Sequence, residues 1–331
     1  MNSRDRVIGA IKLEKVDRKP VTSVTQVGVV EAMEKVDAYW PEAHSNPEKM
    51  ARLGASLYKL VGLEAVRIPF CLTVEAEVLG CKIKMGGLDT QPSVSESPKK
   101  IPDEIPANLL ELGRIPVVIN ATKMLCNSYP EVPKVIGITG PMTLAGHILG
   151  VENLLKYIIK SPDTVKKALD FCVEVSKRYI DAIIEVGPPD IICVPDPTAS
   201  PEITPPPTFN SLVAPALREI SKMINKECIS VLHICGRVQK ILGTMADTGF
   251  HGLSIEEKVD VKEARGIVKS KVALIGNISA PNTLLRGPPE KITEEVRAIL
   301  DYIDLVAPGC GLAPRTPLSN IKALVDSVKI N

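Results

Sequence analysis

Leu232-His233-Ile234-Cys235-Gly236 decides how the chain is read. It closes an apolar run over residues 229–234 that follows a helix-like segment at 210–226, and Gly236 stands where a strand would turn toward the next helix. A strand directs residues two apart to one face, so His233 and Cys235 converge at its carboxyl end. A similar ending recurs at Ala307-Pro308-Gly309-Cys310-Gly311, after an apolar run and before a helix. Glycines on both sides let the backbone bend and bring the Cys310 sulfur to an opening, although a cysteine alone is as often a small core hydrophobe. One imidazole and two thiolates suit zinc, and three protein ligands leave a fourth position open, as in catalytic sites.

Outward from that stretch the same unit repeats. Apolar runs occur at 134–139, 190–194, 229–234, 252–255, 272–276 and 304–307, separated by amphipathic segments such as 144–159, 162–185 and 292–302. Two earlier strands fit at 20–26 and 65–69, with a helical region at 46–60 between them. Eight strands alternating with helices predict an α/β fold, a single (β/α)8 TIM barrel spanning 1–331. Residues from about 70 to 133 exceed one loop and are expected to form an insertion after the second strand. Within it a hairpin is expected at 78–85, a Pro/Ser/Lys-rich segment at 91–106 and a helix near 107–112. The proline-rich stretch 195–207 is long enough to wall an active-site mouth.

Composition narrows the function classes. Hydrophobic residues make up 45% and charged residues 24% of the 331, the balance of a soluble globular protein. Aromatic content of 3% and a net charge of +1 leave neither stacking platforms nor a basic face, so nucleic acid is not an expected partner. No apolar segment reaches the length of a membrane span. Eight cysteines lie scattered in apolar stretches without disulfide-framework or CxxC spacing, which points to a reduced, cytoplasmic setting.

The expected strand ends carry Gln26, Thr139, Asp196, His233 with Cys235, Glu257, Asn277 and Cys310. Glu257 follows the strand next to the His-x-Cys strand, so it is either a fourth, exchangeable zinc ligand or a solvated carboxylate in Glu256-Glu257-Lys258. Asp196 either accepts a hydrogen bond from His233, as carboxylates beside metal-bound histidines do, or caps a turn before Pro197. The turn Thr139-Gly140-Pro141-Met142-Thr143 opens a helix whose free N–H groups suit a small sulfonate or carboxylate, or an ordinary cap. The chemistry implied by such a metal is thiol activation, because a metal-bound thiol is deprotonated at neutral pH. Two thiolates already cancel the charge of Zn²⁺, so an incoming sulfur keeps its electron density.

Leu232–Gly236, Ser254-Ile-Glu-Glu-Lys-Val-Asp260, Ile275-Gly-Asn-Ile-Ser279, Asp196-Pro-Thr-Ala-Ser200 and the segment from Leu305 to Pro317 together resemble the methylcobamide:coenzyme M methyltransferases of methanogenic archaea. These belong to the uroporphyrinogen decarboxylase superfamily. The resemblance runs from Arg4 to the C-terminus. It implies zinc on His233, Cys235 and Cys310, coenzyme M as the thiol, and a methylated corrinoid protein as methyl donor. Glu257 and Asp196 are then the expected catalytic side chains, and Gln26, Thr139 and Asn277 the expected ligand contacts. The arginine-bearing segment that serves porphyrin carboxylates in true decarboxylases corresponds to Val24-Thr25-Gln26-Val27-Gly28 and has no arginine. Two other readings remain: another zinc-dependent thiol methyltransferase, or a non-catalytic corrinoid-protein docking barrel with a structural metal.

Overall fold

The computed structural model describes residues 1–329. Its centre is a curled parallel sheet of seven strands: β1 (Val66–Ile68), β4 (Lys134–Gly137), β5 (Ile191–Pro195), β6 (Ile229–His233), β7 (Gly252–Ser254), β8 (Ala273–Ile278) and β9 (Leu305–Pro308), paired in that order. The remaining two, β2 (Lys82–Lys84) and β3 (Ser93–Glu96), form a separate antiparallel ribbon. Every residue of the seven parallel strands is buried. That is why they read as continuous apolar runs: helices cover one face and a packed interior the other.

The interior face is set by alternation. Val135, Ile191 with Cys193, Ile229 with Val231, Ala273 with Ile275 and Leu305 with Ala307 form one cluster, and Val7 and Ile11 from the N-terminal helix Ser3–Ile11 join it. His233 continues the register of Ile229 and Val231, so its imidazole faces the same interior at the opposite, carboxyl end of the strands.

The expected strand at 20–26 contracts to one bridge. Val21 pairs in parallel with Val306, the Val306 N–H donates to Pro20, and the Glu64 N–H donates to Val21 just before β1. The chain at 20–22 thereby touches both ends of the seven-strand sheet. It leaves the ladder after Thr22, where Ser23 bonds to Thr25 (3.2 Å between hydroxyls) and the Gln26 side chain to Gly28, local bonds that compete with strand pairing.

Between β1 and β4 the chain forms a helix at Val74–Val78, the β2–β3 ribbon, a 3₁₀ turn at Leu109–Glu111 and a helix at Ile115–Ser128. The hairpin expected at 78–85 is displaced. Its second strand, β3, lies within the segment at 91–106, and of its four residues only Val94 is half-buried, too little apolar alternation to betray a strand. The helix expected near 107–112 is only that 3₁₀ turn. The longer helix begins with Pro116 in its first turn, where a missing N–H costs nothing. The amphipathic run at 144–159 is two helices, Pro141–Leu149 and Val151–Lys160, broken at Gly150 with φ of +78°. No helix among the described residues is long and apolar enough to cross a membrane.

Candidate metal centre

β6 delivers His233, and Cys235 follows it before Gly236, whose φ of +83° reverses the chain. That left-handed conformation is what calls for glycine; a Cβ there would also press on the Ser200 hydroxyl at 2.7 Å, a contact a rotation of Ser200 relieves. Cys310 arrives from the end of β9. Gly309 passes so near the turn after β7 that a Cβ there would lie 2.9 Å from the Glu257 nitrogen and 2.8 Å from its Oε2. The missing side chain allows that approach.

The three side chains meet. His233 Nε2 lies 3.2 Å from Cys235 Sγ, the two sulfurs are 3.6 Å apart, and one donor atom from each residue lies within 4.8 Å of the others. Tetrahedral coordination with bonds of about 2.0–2.3 Å separates ligand atoms by roughly 3.5–3.8 Å, so the set fits a small divalent ion after minor adjustment. His233 Nδ1 faces the Ser254 carbonyl at 3.2 Å and its hydroxyl at 3.1 Å. A carbonyl can only accept, so Nδ1 carries the proton and Nε2 turns a lone pair toward the thiols.

The electrostatics of the pair are lopsided. The Cys235 thiol donates toward Cys310, and with the His233 ring this holds the Cys310 thiol well below its ordinary range. Cys235 is pushed up by its bond to Cys310, by burial, and by the negative charges of Cys310 and Glu256. Two sulfurs this close cannot both ionise unaided, and a cation between them removes the conflict.

The donors open on a cleft of about 230 Å³, also walled by Thr25, Gln26, Arg67, Phe70, Leu72 and Pro197. Gln26 reaches this cleft as expected, but its amide serves the wall: Nε2 donates to the Gly28 (3.2 Å) and Leu312 carbonyls, and Oε1 accepts from the Gly28 N–H. Glu257 sits behind Gly309, outside the three-donor group. Its Oε1 accepts from Ser279 at 3.1 Å, while Oε2 is buried without a hydrogen-bond partner among the described residues, and burial raises its carboxyl above the usual range.

Asp196 does not hold His233; Ser254 occupies that place. The Asp196 carboxylate, fully buried, caps the helix Pro141–Leu149 by accepting from the Thr143 N–H and hydroxyl (both 2.7 Å) and the Met142 N–H (3.2 Å). Burial raises its pKa to about 6 despite those donors. The same contacts overturn the helix end at 140–143 as an anion site, since its N–H groups are already taken. Thr139 likewise gives both its N–H and its hydroxyl to buried Glu75, each at 2.7 Å. Asn277 lies off the cleft, where its Nδ2 ties down the turn after β7 through the Glu256 (3.1 Å) and Val259 (3.0 Å) carbonyls.

Three neighbours escaped sequence reasoning. Ser254 and Glu256, whose carboxylate takes the Gly236 N–H, sit on a strand end where only Glu257 drew notice. Arg67 had a signal: a cation between Val66 and Ile68 in a strand buried on every residue.

The family model for uroporphyrinogen decarboxylase matches residues 2–330. The chain is 47% identical to the methylcobamide:CoM methyltransferase MtaA of Methanosarcina barkeri, covering 97% of this chain and 96% of that one. It is 36% identical to the methylcobamide:CoM methyltransferase MtbA of Methanosarcina mazei, covering 98% and 97%. A solved methyltransferase from Methanosarcina mazei superposes with a TM-score of 0.94 at 45% identity, over 99% of this chain and 98% of that one.

Proposed function

The chain belongs to the uroporphyrinogen decarboxylase family, and from that premise we propose that it is a methyltransferase moving a methyl group from a methylated corrinoid protein to the thiol of coenzyme M. The observation that carries this reading is the His233, Cys235 and Cys310 donor set, gathered at the edge of a cleft with no fourth donor in the group among the described residues. That set suits Zn²⁺, and a zinc ion there would lower the pKa of an incoming thiol so that its sulfur is nucleophilic at neutral pH. Two thiolate donors favour this over metal-assisted hydrolysis, which generally uses histidine and carboxylate ligands.

The chain's own residues then have distinct tasks. His233, Cys235 and Cys310 would hold the ion, and Ser254 fixes the imidazole. Glu257 lies outside that group with its buried Oε2 unpartnered among the described residues; we assign it the fourth position in the absence of thiol, reached by a shift of its side chain and given up when the thiol binds. On binding, the thiol would release its proton to solvent; the thiolate sulfur's electron pair would then form the new S–C bond while the C–Co pair stays with the cobalt of the corrinoid substrate. Asp196 supports the cleft by capping the helix after β4 rather than by touching substrate. We read the scaffold as one (β/α)8 domain in which the chain at Val21 serves as the eighth strand and residues from about 70 to 133 are an insertion. With all eight cysteines free, a reducing cytoplasm is its expected setting.

The test is methyl transfer from free methylcobalamin to coenzyme M by zinc-loaded protein, followed by loss of methylcobalamin and appearance of the methyl thioether. Turnover that disappears on chelation and returns with zinc is the expected result. No thioether from any thiol would remove the assignment.

A further inference from the structure

Arg67 occupies the middle of β1 and is 2% exposed. Its Nη1 donates to the Pro69 carbonyl and its Nε lies 3.4 Å from the Val24 carbonyl, whereas Nη2 has no hydrogen-bond partner among the described residues. Nor does any described carboxylate lie within the 4.0 Å of an ion pair. The nearby Cys193 thiol does not neutralise it, since burial pushes that thiol up to about 12. Arg67 itself is pulled down by burial only to about 10, so it stays charged at neutral pH. Room for the guanidinium depends on Gly137 of the adjacent strand, where a Cβ would lie 2.4 Å from Nη2. An unbalanced buried cation is costly, and proteins retain one where an anion completes it.

The anion has a defined way in, because Arg67 lines the same cleft as His233, Cys235 and Cys310. We propose that Arg67 is the specificity residue of this cleft, pairing with the anionic tail of a small thiol whose sulfur meets the two cysteines and the histidine. The inference rests on the thiol-methyltransferase reading and assigns the tail a partner that neither the helix end at 140–143 nor Asn277 can provide. A planar guanidinium suits the oxygens of a sulfonate or carboxylate.

The test compares 2-mercaptoethanesulfonate with 2-mercaptoethanol as acceptors from methylcobalamin, and uses ethanesulfonate, which has no thiol, as a binding probe. Wild-type protein should favour the sulfonate thiol by at least about tenfold in kcat/KM, on the order of one charge-assisted contact. In Arg67→Met that preference should collapse through a higher KM, with partial recovery in Arg67→Lys. Ethanesulfonate should bind the wild type by calorimetry and compete with the sulfonate thiol, and should do neither in Arg67→Met. A preference unchanged in Arg67→Met, or ethanesulfonate binding equally to both, would overturn the assignment. Should Arg67→Met not fold, Gly137→Ala, which crowds Nη2, must show the same loss, and failure of ethanesulfonate to bind the wild type overturns the proposal by itself. If no thiol is methylated but ethanesulfonate binds through Arg67, the methyl-transfer reading fails and the anion site stands.

Discussion

The His233 imidazole is fixed from behind by Ser254, whose hydroxyl and carbonyl lie 3.1 and 3.2 Å from Nδ1, so that Nε2 alone faces the sulfurs. Removing the hydroxyl in Ser254→Ala leaves the carbonyl and half of the restraint. Zinc affinity should therefore fall by about tenfold, the lower end for lost partners of metal-bound histidines. Competition with a chromophoric chelator measures it, and an unchanged affinity would show that the carbonyl suffices.

Cys235→Ala and Cys310→Ala should each take zinc from about one per chain to nearly none without unfolding the protein. Neither side chain belongs to the two apolar clusters that pack the sheet. Metal analysis beside far-UV circular dichroism checks this. Loss of structure in both variants would mark the metal as structural, and full zinc retention in both would place it elsewhere.

Gly309→Ala introduces a Cβ against the Glu257 backbone nitrogen at 2.9 Å, a contact that a flexible side chain cannot relieve. The strand end must shift and carry Cys310 with it. Stability should fall by about 1–3 kcal/mol, the usual range for overpacking, with weakened zinc binding. Chemical denaturation and chelator competition on one preparation report both. A variant with wild-type affinity would mean that Cys310 is not positioned by this close approach.

Asp196 gives a pH dependence of defined sign. Its pKa is raised from 3.8 to about 6 in the fold, so the native state holds this proton more tightly than the unfolded chain does. The stability it contributes is fully present below about pH 4 and is lost as pH rises through about 6. Relative to Asp196→Asn, which does not titrate, the wild type should lose up to about 3 kcal/mol across that window. Denaturation midpoints of the two proteins from pH 4 to 7 should converge or cross in that direction. A constant difference would show that the helix cap offsets burial completely.

The parallel strands and the three donors were legible because their physics is local to each segment. A strand buried on both faces is an unbroken apolar run, and His233 and Cys235 share a face at any such strand's end. What escaped depends on partners distant in the chain. Nothing near Asp196 reveals that it caps a helix beginning at Pro141, or that Thr139 is committed to Glu75. The β2–β3 ribbon is nearly all exposed and has little hydrophobic alternation to detect. Arg67 was visible as a cation within β1, but its significance required the missing carboxylate, which only the packed structure reveals.

An open metal position beside His233, Cys235 and Cys310 should accept a thiol. X-ray absorption at the zinc edge, before and after adding coenzyme M to wild-type protein, tests it most directly. One nitrogen, two sulfurs and one oxygen should surround the metal at first, then one nitrogen and three sulfurs, with Glu257→Gln altering only the first spectrum. A shell that keeps two sulfurs at saturating coenzyme M would contradict it.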